Sequence, residues 1–310
     1  MSRWKDHAIN CQKYARSFLE PVLSNHQFIR DTFEQIADRY EHHAALEQEV
    51  CTRLLERTAF NRRSPLQILD LGCGTGTGSA QLKRTFRKAQ VIGLDTSLGM
   101  LSQLRRRSTV LRPLKAVCGD IGALPFAAQS ADMVFSNLAS YWCPEPMIMF
   151  AEFRRVLRAD GLLLFSTFGP ATMKELGDAW TGVHEAVELP VFPDLLEIGN
   201  ALVAAGFREP VMDREVITLN YPQLDALFEE LEATGTSLLV QGWDHWKTAR
   251  VALQQAYAPM LSDGKYPLSF EIVYGTAFGP RDGQPMKTPD GDVATFSVES
   301  LRRPRTGTVR

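Results

Sequence analysis

Ile68-Leu69-Asp70-Leu71-Gly72-Cys73-Gly74-Thr75-Gly76 is an apolar strand running straight into a glycine-rich turn, and Thr77 to Phe86 can continue from it as a helix. Glycine at Gly72, Gly74 and Gly76 lets the backbone approach a ligand with no Cβ in the way. A second apolar run, Val91 to Leu94, ends in Asp95. That carboxylate falls roughly 20 residues past the turn, where the ribose-binding acid of a nucleotide-binding βαβ unit belongs. Its two acceptor oxygens suit the two ribose hydroxyls. The competing role for Asp95 is N-cap of the helix that follows at Ser97-Leu98-Gly99-Met100. Gly119-Asp120-Ile121, after a third apolar run, adds a further signature. A glycine loop alone is weak; the loop, the strand-end acid and this third element together predict a nucleotide site.

Strands and helices alternate around this unit. Strands are expected at Gln67–Leu71, Gln90–Asp95, Leu114–Cys118, Met133–Asn137 and Leu162–Phe168, with helices at Leu98–Arg107 and Met147–Arg158 among the connections. Such spacing implies parallel βαβ units in an open, doubly wound sheet. Before it, Phe28, Phe33, Ile36 and Tyr40, then Leu46, Val50, Leu54 and Leu55, recur at helical spacing. After Gly169-Pro170 the rhythm changes. Thr172–Val187 and Asp194–Ala204 read as helices, Val211–Leu219 as a sixth strand, 221–262 as a helical insertion, and Leu268–Thr276 as a strong final strand. The expected division is N-terminal helices and a lid over 1–60, a ligand-binding core over 61–170, and helical cap insertions plus the last strands of the same sheet over 171–280. Residues 281–310, poor in apolar side chains and rich in Gly, Pro and charge, read as a flexible tail.

Composition narrows the class. The 310 residues are 45% hydrophobic with a formal net charge of −2, which argues against bulk nucleic-acid binding. No stretch is apolar and long enough to span a bilayer, and Met1 to His7 lacks a signal-peptide core, so a cytoplasmic location and no membrane partner are expected. Cys11, Cys51, Cys73, Cys118 and Cys143 are scattered without a Cys-x-x-Cys pair, which favours free thiols over a zinc site. The basic clusters Lys83-Arg84, Arg105-Arg106-Arg107 and Arg154-Arg155 close helices antiparallel to the strands. They are expected to complement helix dipoles on the face away from the ligand.

Asp70-Leu71-Gly72-Cys73-Gly74-Thr75-Gly76 resembles the first motif of class I S-adenosylmethionine (SAM) methyltransferases more than a dinucleotide fingerprint. The resemblance implies a Rossmann-like α/β fold: a seven-stranded, mostly parallel sheet with an antiparallel last strand and a helical cap. It implies SAM as cofactor, with Asp70 steering the methionine ammonium and the N–H groups of the turn facing its carboxylate. Asp70 could instead cap the turn. Asp120 would take the adenine amino hydrogens while Ile121 covers the base; a turn-forming Asp is the alternative. Met100 would pack on the adenine or simply fill the core. Asn137 would orient the sulfonium side of the cofactor, through backbone or side chain.

Four further segments narrow the resemblance. Phe33-Glu34-Gln35-Ile36-Ala37-Asp38-Arg39-Tyr40-Glu41-His42-His43-Ala44, Ser136-Asn137-Leu138-Ala139-Ser140-Tyr141-Trp142-Cys143, Thr167 to Leu176 and Tyr266 to Glu271 are together similar to the BioC family of malonyl-[acyl-carrier protein] O-methyltransferases, over residues about 28 to 280. The resemblance implies methyl transfer from SAM to the free carboxylate of a malonyl thioester, giving the ester that primes pimeloyl synthesis for biotin. Malonyl-acyl carrier protein, or malonyl-CoA, would be the partner. A carboxylate with a reference pKa near ~4 is already ionised, so no general base is needed. Tyr40, Tyr141 and Trp142 are the expected catalytic residues, acting by orientation. Methylation of another small acid or quinone precursor, or a complex I assembly role on the same fold, is the alternative.

Overall fold

The computed structural model describes residues 26–60, 64–143, 145–184, 187–281, 285–288 and 291–294. One sheet is built from β1 (Gln67–Leu71), β2 (Gln90–Asp95), β3 (Leu114–Cys118), β4 (Ala131–Ser136), β5 (Leu157–Phe168), β6 (Arg208–Tyr221) and β7 (Tyr266–Phe278). Its order is β3-β2-β1-β4-β5-β7-β6. β1 to β5 pair in parallel, whereas β7 lies antiparallel to both β5 and β6. The strand order reverses beside β1, between β2 and β4. That reversal opens a crevice at the carboxyl ends of β1 and β4.

The central strands read as continuous apolar runs because both faces of the sheet are covered. Side chains alternate between the faces. Ile68, Phe135, Leu164 and Ile272 face one core, and Leu69, Val134, Phe165 and Val273 the other. The first face is covered by α3 (Ala45–Glu56), α4 (Thr77–Thr85) and α5 (Leu98–Arg107), through Val50, Leu54, Leu82, Leu101 and Leu104. The second is covered by α6 (Pro146–Val156) and α8 (Leu195–Ala204), through Phe150, Phe153, Ile198 and Leu202. Ahead of α3, α1 (His26–Ile36) and α2 (Tyr40–His43) run over the open end of the sheet.

Three expectations are corrected. The helix expected over Thr172–Val187 is only α7 (Lys174–Trp180), because the chain turns at Gly182 with φ 81°. The cap is smaller than expected. α8 packs against α6 and β6 on the far face, held there by its apolar Ile198, Ala201 and Leu202. The cap proper is α7 with α9 (Leu224–Ala233) and α10 (Trp246–Tyr257), whose Leu227, Phe228, Trp246 and Leu253 extend the first core. Glu232 ties the cap together by accepting from the indole N–H groups of Trp243 (3.0 Å) and Trp246 (3.1 Å). The expected tail is structured over part of its length: β8 (Pro285–Thr288) and β9 (Gly291–Ala294) pair as an antiparallel hairpin. The basic Arg302-Arg303-Pro304-Arg305 lies outside the described residues, as does Cys11.

Cap and N-terminal helices meet. A Cβ on Gly235, at the left-handed turn after α9, would lie 3.1 Å from the Phe33 ring of α1. No described helix is long and apolar enough to cross a membrane.

Candidate active site

A trough crosses the carboxyl ends of β1, β2 and β4 under α1 to α3. Its nucleoside-sized half is lined by His26, Ile29, Phe33, Asp95, Met100, Asp120, Ile121, Leu138, Tyr141 and Trp142. Its other half is lined by Glu41, Glu47, Cys51, Asp70, Thr75, Thr77 and Phe135. Tyr40, Gly72, Gly74 and Asn137 border both. Every site residue expected from the sequence except Gly76 therefore lines the trough.

The three glycines of the turn all have positive φ but serve different ends. A Cβ on Gly72 would lie 2.2 Å from that of Ala139, and one on Gly76 would lie 2.7 Å from Leu104. Both are required by packing against protein. A Cβ on Gly74 would project into open space, so the room for a ligand lies there. The expected anion-binding array of N–H groups is corrected. Gly72 and Cys73 donate to the Leu94 carbonyl (2.8 and 3.0 Å), Gly76 to that of Cys73 (2.9 Å), and Gly74 to Asp95 Oδ2 (2.9 Å). Tethering to β2 uses the donors of Gly72, Cys73 and Gly74, and the turn itself uses that of Gly76.

Asp95 is not the helix cap. Ser97 caps α5, its Oγ accepting from the Met100 N–H at 3.1 Å, while Asp95 Oδ1 accepts from the Ser97 N–H at 3.0 Å. With backbone donors from Ser97, Gly74 and Thr96 against about four lone-pair sites, the carboxylate keeps acceptor capacity for a ribose hydroxyl. Burial raises its pKa, and the backbone donors of Ser97 and Gly74 oppose that rise. Asp70 is buried at the end of β1 and accepts from the Ser79 hydroxyl at 2.6 Å; burial pushes it up to about 7. Asp120 forms a turn, its Oδ1 accepting from the Gly122 N–H (2.7 Å), while its Oδ2 lies 3.2 Å from His26 Nδ1. Met100 is buried against Ile36 and Ala37.

The side chain of Asn137 is already engaged. Its Nδ2 donates to the Glu47 carbonyl (3.0 Å) and its Oδ1 accepts from the Ser166 hydroxyl (3.0 Å). These two bonds fix the amide where it borders both halves of the trough. Beyond it, Tyr141 stacks on Phe168 (4.7 Å) and Trp142 meets Phe33 edge to face (5.3 Å). Burial raises the Tyr40 and Tyr141 pKa values, and Glu47 adds to the rise in both. Burial also pushes the Cys51 thiol up to about 12 and that of Cys73 well above its usual value, which leaves neither as a thiolate nucleophile.

Several participants escaped the sequence reading. Glu34 on α1 accepts from the Ser97 hydroxyl (2.8 Å) and the Gly99 N–H (2.7 Å), pinning the lid to the N-terminus of α5, where a carboxylate complements the helix dipole. Arg107 was expected on the remote face. It instead donates to the Thr75 carbonyl (2.8 Å) and pairs with Glu41 of α2. Its long side chain runs back along α5, which packs directly under the glycine turn. Glu47 was not singled out from the sequence. The spacing of Glu34, four residues after Arg30 and three before Ala37, gave no sign of a cross-chain contact, since only tertiary packing creates one.

A model described as a methyltransferase domain matches residues 69–165. The chain is 42% identical over 269 residues to the malonyl-[acyl-carrier protein] O-methyltransferase of Gallionella capsiferriformans, covering 82% of this chain and 93% of that protein. It is 39% identical to the protein of the same name from Laribacter hongkongensis, covering 89% and 97% of the two. Among solved structures, a protein from Bacillus halodurans shares the fold with a TM-score of 0.54 at 17% identity, over 74% of this chain and 99% of that one. The glycine turn, the acid at the end of β2, the switch-point trough and these relatives agree: the chain belongs to the malonyl-[acyl-carrier protein] O-methyltransferase family.

Proposed function

We propose that this enzyme transfers the methyl group of SAM to the free carboxylate of a malonyl thioester on acyl carrier protein. The observation that carries the cofactor half is the charge of the trough. Among the described residues its lining includes five carboxylates, Glu41, Glu47, Asp70, Asp95 and Asp120, and no Lys or Arg. A pyrophosphate dinucleotide would be repelled there. A nucleoside that carries a sulfonium and an ammonium is complementary, and the open space beside Gly74 gives it room. Asp95 would hold the ribose, Asp120 and Ile121 the adenine, and Gly72 and Gly74 the methionine half, with Met100 beneath the base.

Bound SAM supplies a methyl carbon activated by a positively charged sulfur. The protein's part is alignment and exclusion of water. Phe33, Tyr141 and Trp142 wall the trough with aromatic faces, which favour a neighbouring cation. Tyr40 and Tyr141 stay protonated at neutral pH because burial and Glu47 oppose ionisation. Each phenol is therefore a hydrogen-bond donor that can orient the acceptor carboxylate, and neither is a base. The acceptor is already an anion, so the reaction needs no proton removed.

Carrier-protein recognition and a cytoplasmic site of action belong to the same reading, the first supported by the relatives' names. The test is incubation with methyl-labelled SAM and malonyl-acyl carrier protein, malonyl-CoA or unloaded carrier protein. Label in an ester on malonyl-acyl carrier protein, far exceeding that on malonyl-CoA, is expected. No labelled ester on either thioester would overturn the proposal.

A further inference from the structure

Glu47 stands out among the groups that the proposed chemistry leaves unused. It lies in the first turn of α3 and lines the acidic half of the trough. Its Oε2 is cut off from solvent and has no hydrogen-bond partner. Buried carboxylate oxygens without partners are costly and call for an explanation. No Lys or Arg lines this half among the described residues; Arg107 reaches Glu41 from outside it, and no described cation pairs with Glu47. The helix turn is held in place, the Glu47 carbonyl accepting from Asn137 Nδ2, and Glu47 lines the same half of the trough as Gly72 and Gly74.

Of the other two acids of this half, Glu41 is paired with Arg107, and Asp70 is differently placed. It is 2% exposed and its Oδ2 is taken by the Ser79 hydroxyl at 2.6 Å, with a further bond from the Ser79 backbone. Of the three acids lining this half among the described residues, Glu47 is the one with a solvent-inaccessible oxygen that lacks a partner.

We propose that Glu47 is a cofactor-binding residue that receives the α-ammonium of the methionine half of SAM, with Asp70 serving mainly to hold the turn through Ser79. This rests on the SAM reading above and assigns one end of that ligand. Burial pushes Glu47 up to about 7 in the ligand-free protein, as expected for an acid awaiting a counter-ion. An ammonium at Oε2 supplies both the missing donor and the missing charge.

The test compares two ligands that share the adenosine and thioether: S-adenosylhomocysteine, which carries the ammonium, and 5′-methylthioadenosine, which lacks the amino-acid half. Calorimetry on the wild type first shows whether the nucleoside site exists; failure to bind either ligand would sink the SAM reading itself. With binding established, Glu47→Gln should weaken S-adenosylhomocysteine by about ten-fold or more, the usual loss for a charged hydrogen bond. Affinity for 5′-methylthioadenosine should change less than about two-fold and also reports that the variant is folded. Glu47→Asp, which keeps the charge on a shorter arm, should fall between wild type and Gln, and it carries the same comparison if the Gln variant does not fold. Equal losses on both ligands, or unchanged S-adenosylhomocysteine affinity, would overturn the assignment.

Discussion

The Nδ2 of Asn137 donates to the backbone carbonyl of Glu47 at 3.0 Å, so the loop after β4 and the helix preceding β1 are joined across the trough. The two residues are 90 positions apart in sequence. The same amide accepts from Ser166 on β5, which makes Asn137 a strut between three elements.

Replacing Asn137 with Ala leaves the Glu47 carbonyl and the Ser166 hydroxyl without these partners. A buried group stripped of its partner costs about 1–3 kcal/mol. Asn137→Ala is expected to lower the melting temperature and to weaken SAM binding together, read by calorimetry of unfolding and of titration. A variant as stable as wild type would show that the strut is dispensable.

Asp95→Ala removes the acceptor proposed for the ribose and also frees the Gly74 N–H from its 2.9 Å bond. Loss of a charged hydrogen bond is worth on the order of 1.5–3 kcal/mol. SAM affinity should drop about ten-fold or more in a folded protein. Titration of the variant with SAM decides it, and an unchanged dissociation constant rules out the ribose role.

Tyr40→Phe should slow methyl transfer through poorer orientation while leaving turnover measurable. The rate above neutral pH should stay flat in both proteins, because the acceptor is ionised and Tyr40 is held protonated by burial. Single-turnover methylation of malonyl-acyl carrier protein across pH provides the comparison. A rate tracking one ionisation near neutrality, and losing that dependence in the variant, would require a protein base.

Stability should carry the mark of the uncompensated acids. Burial pushes Glu47 up to about 7, above its value in an unfolded chain. A raised carboxyl pKa means that the folded state keeps a proton the unfolded state has lost. Its contribution is therefore most favourable at low pH and declines as pH rises through about 7. Measured without ligand, Glu47→Gln should gain in melting temperature relative to wild type between about pH 5 and about pH 8. A difference that stays constant across that window would contradict the assignment of the shift to this residue.

The fold was legible because its signals are local. The apolar run Ile68–Leu71, the glycines after it and Asp95 at the next strand end each declare a role in a short window. The alternation of β1 to β5 with helices then fixes a parallel sheet. What stayed hidden depends on contacts between distant segments. Glu34 and Glu47 look like ordinary polar positions of amphipathic helices, and only folding brings one to Gly99 and the other to Asp70's side of the trough. Arg107 was misplaced because helix direction locates a backbone end and says nothing of how far a guanidinium reaches. α8 was assigned to the cap because its apolar residues show that it packs but cannot show against which face.

The position of β7 has a consequence for synthesis. β1 to β5 can pair as they leave the ribosome, each finding a neighbour already made. β6 cannot, because its one strand partner among the described residues is β7, whose first residue, Tyr266, emerges after α9 and α10. Until then β6 is an unpaired strand and the cap helices lack the floor of Leu268 and Phe270 that buries them. The last stretch of the domain to be translated is thus the one that locks its edge, and a nascent chain stalled before Tyr266 would expose both an open strand and an apolar helical surface to chaperones and proteases.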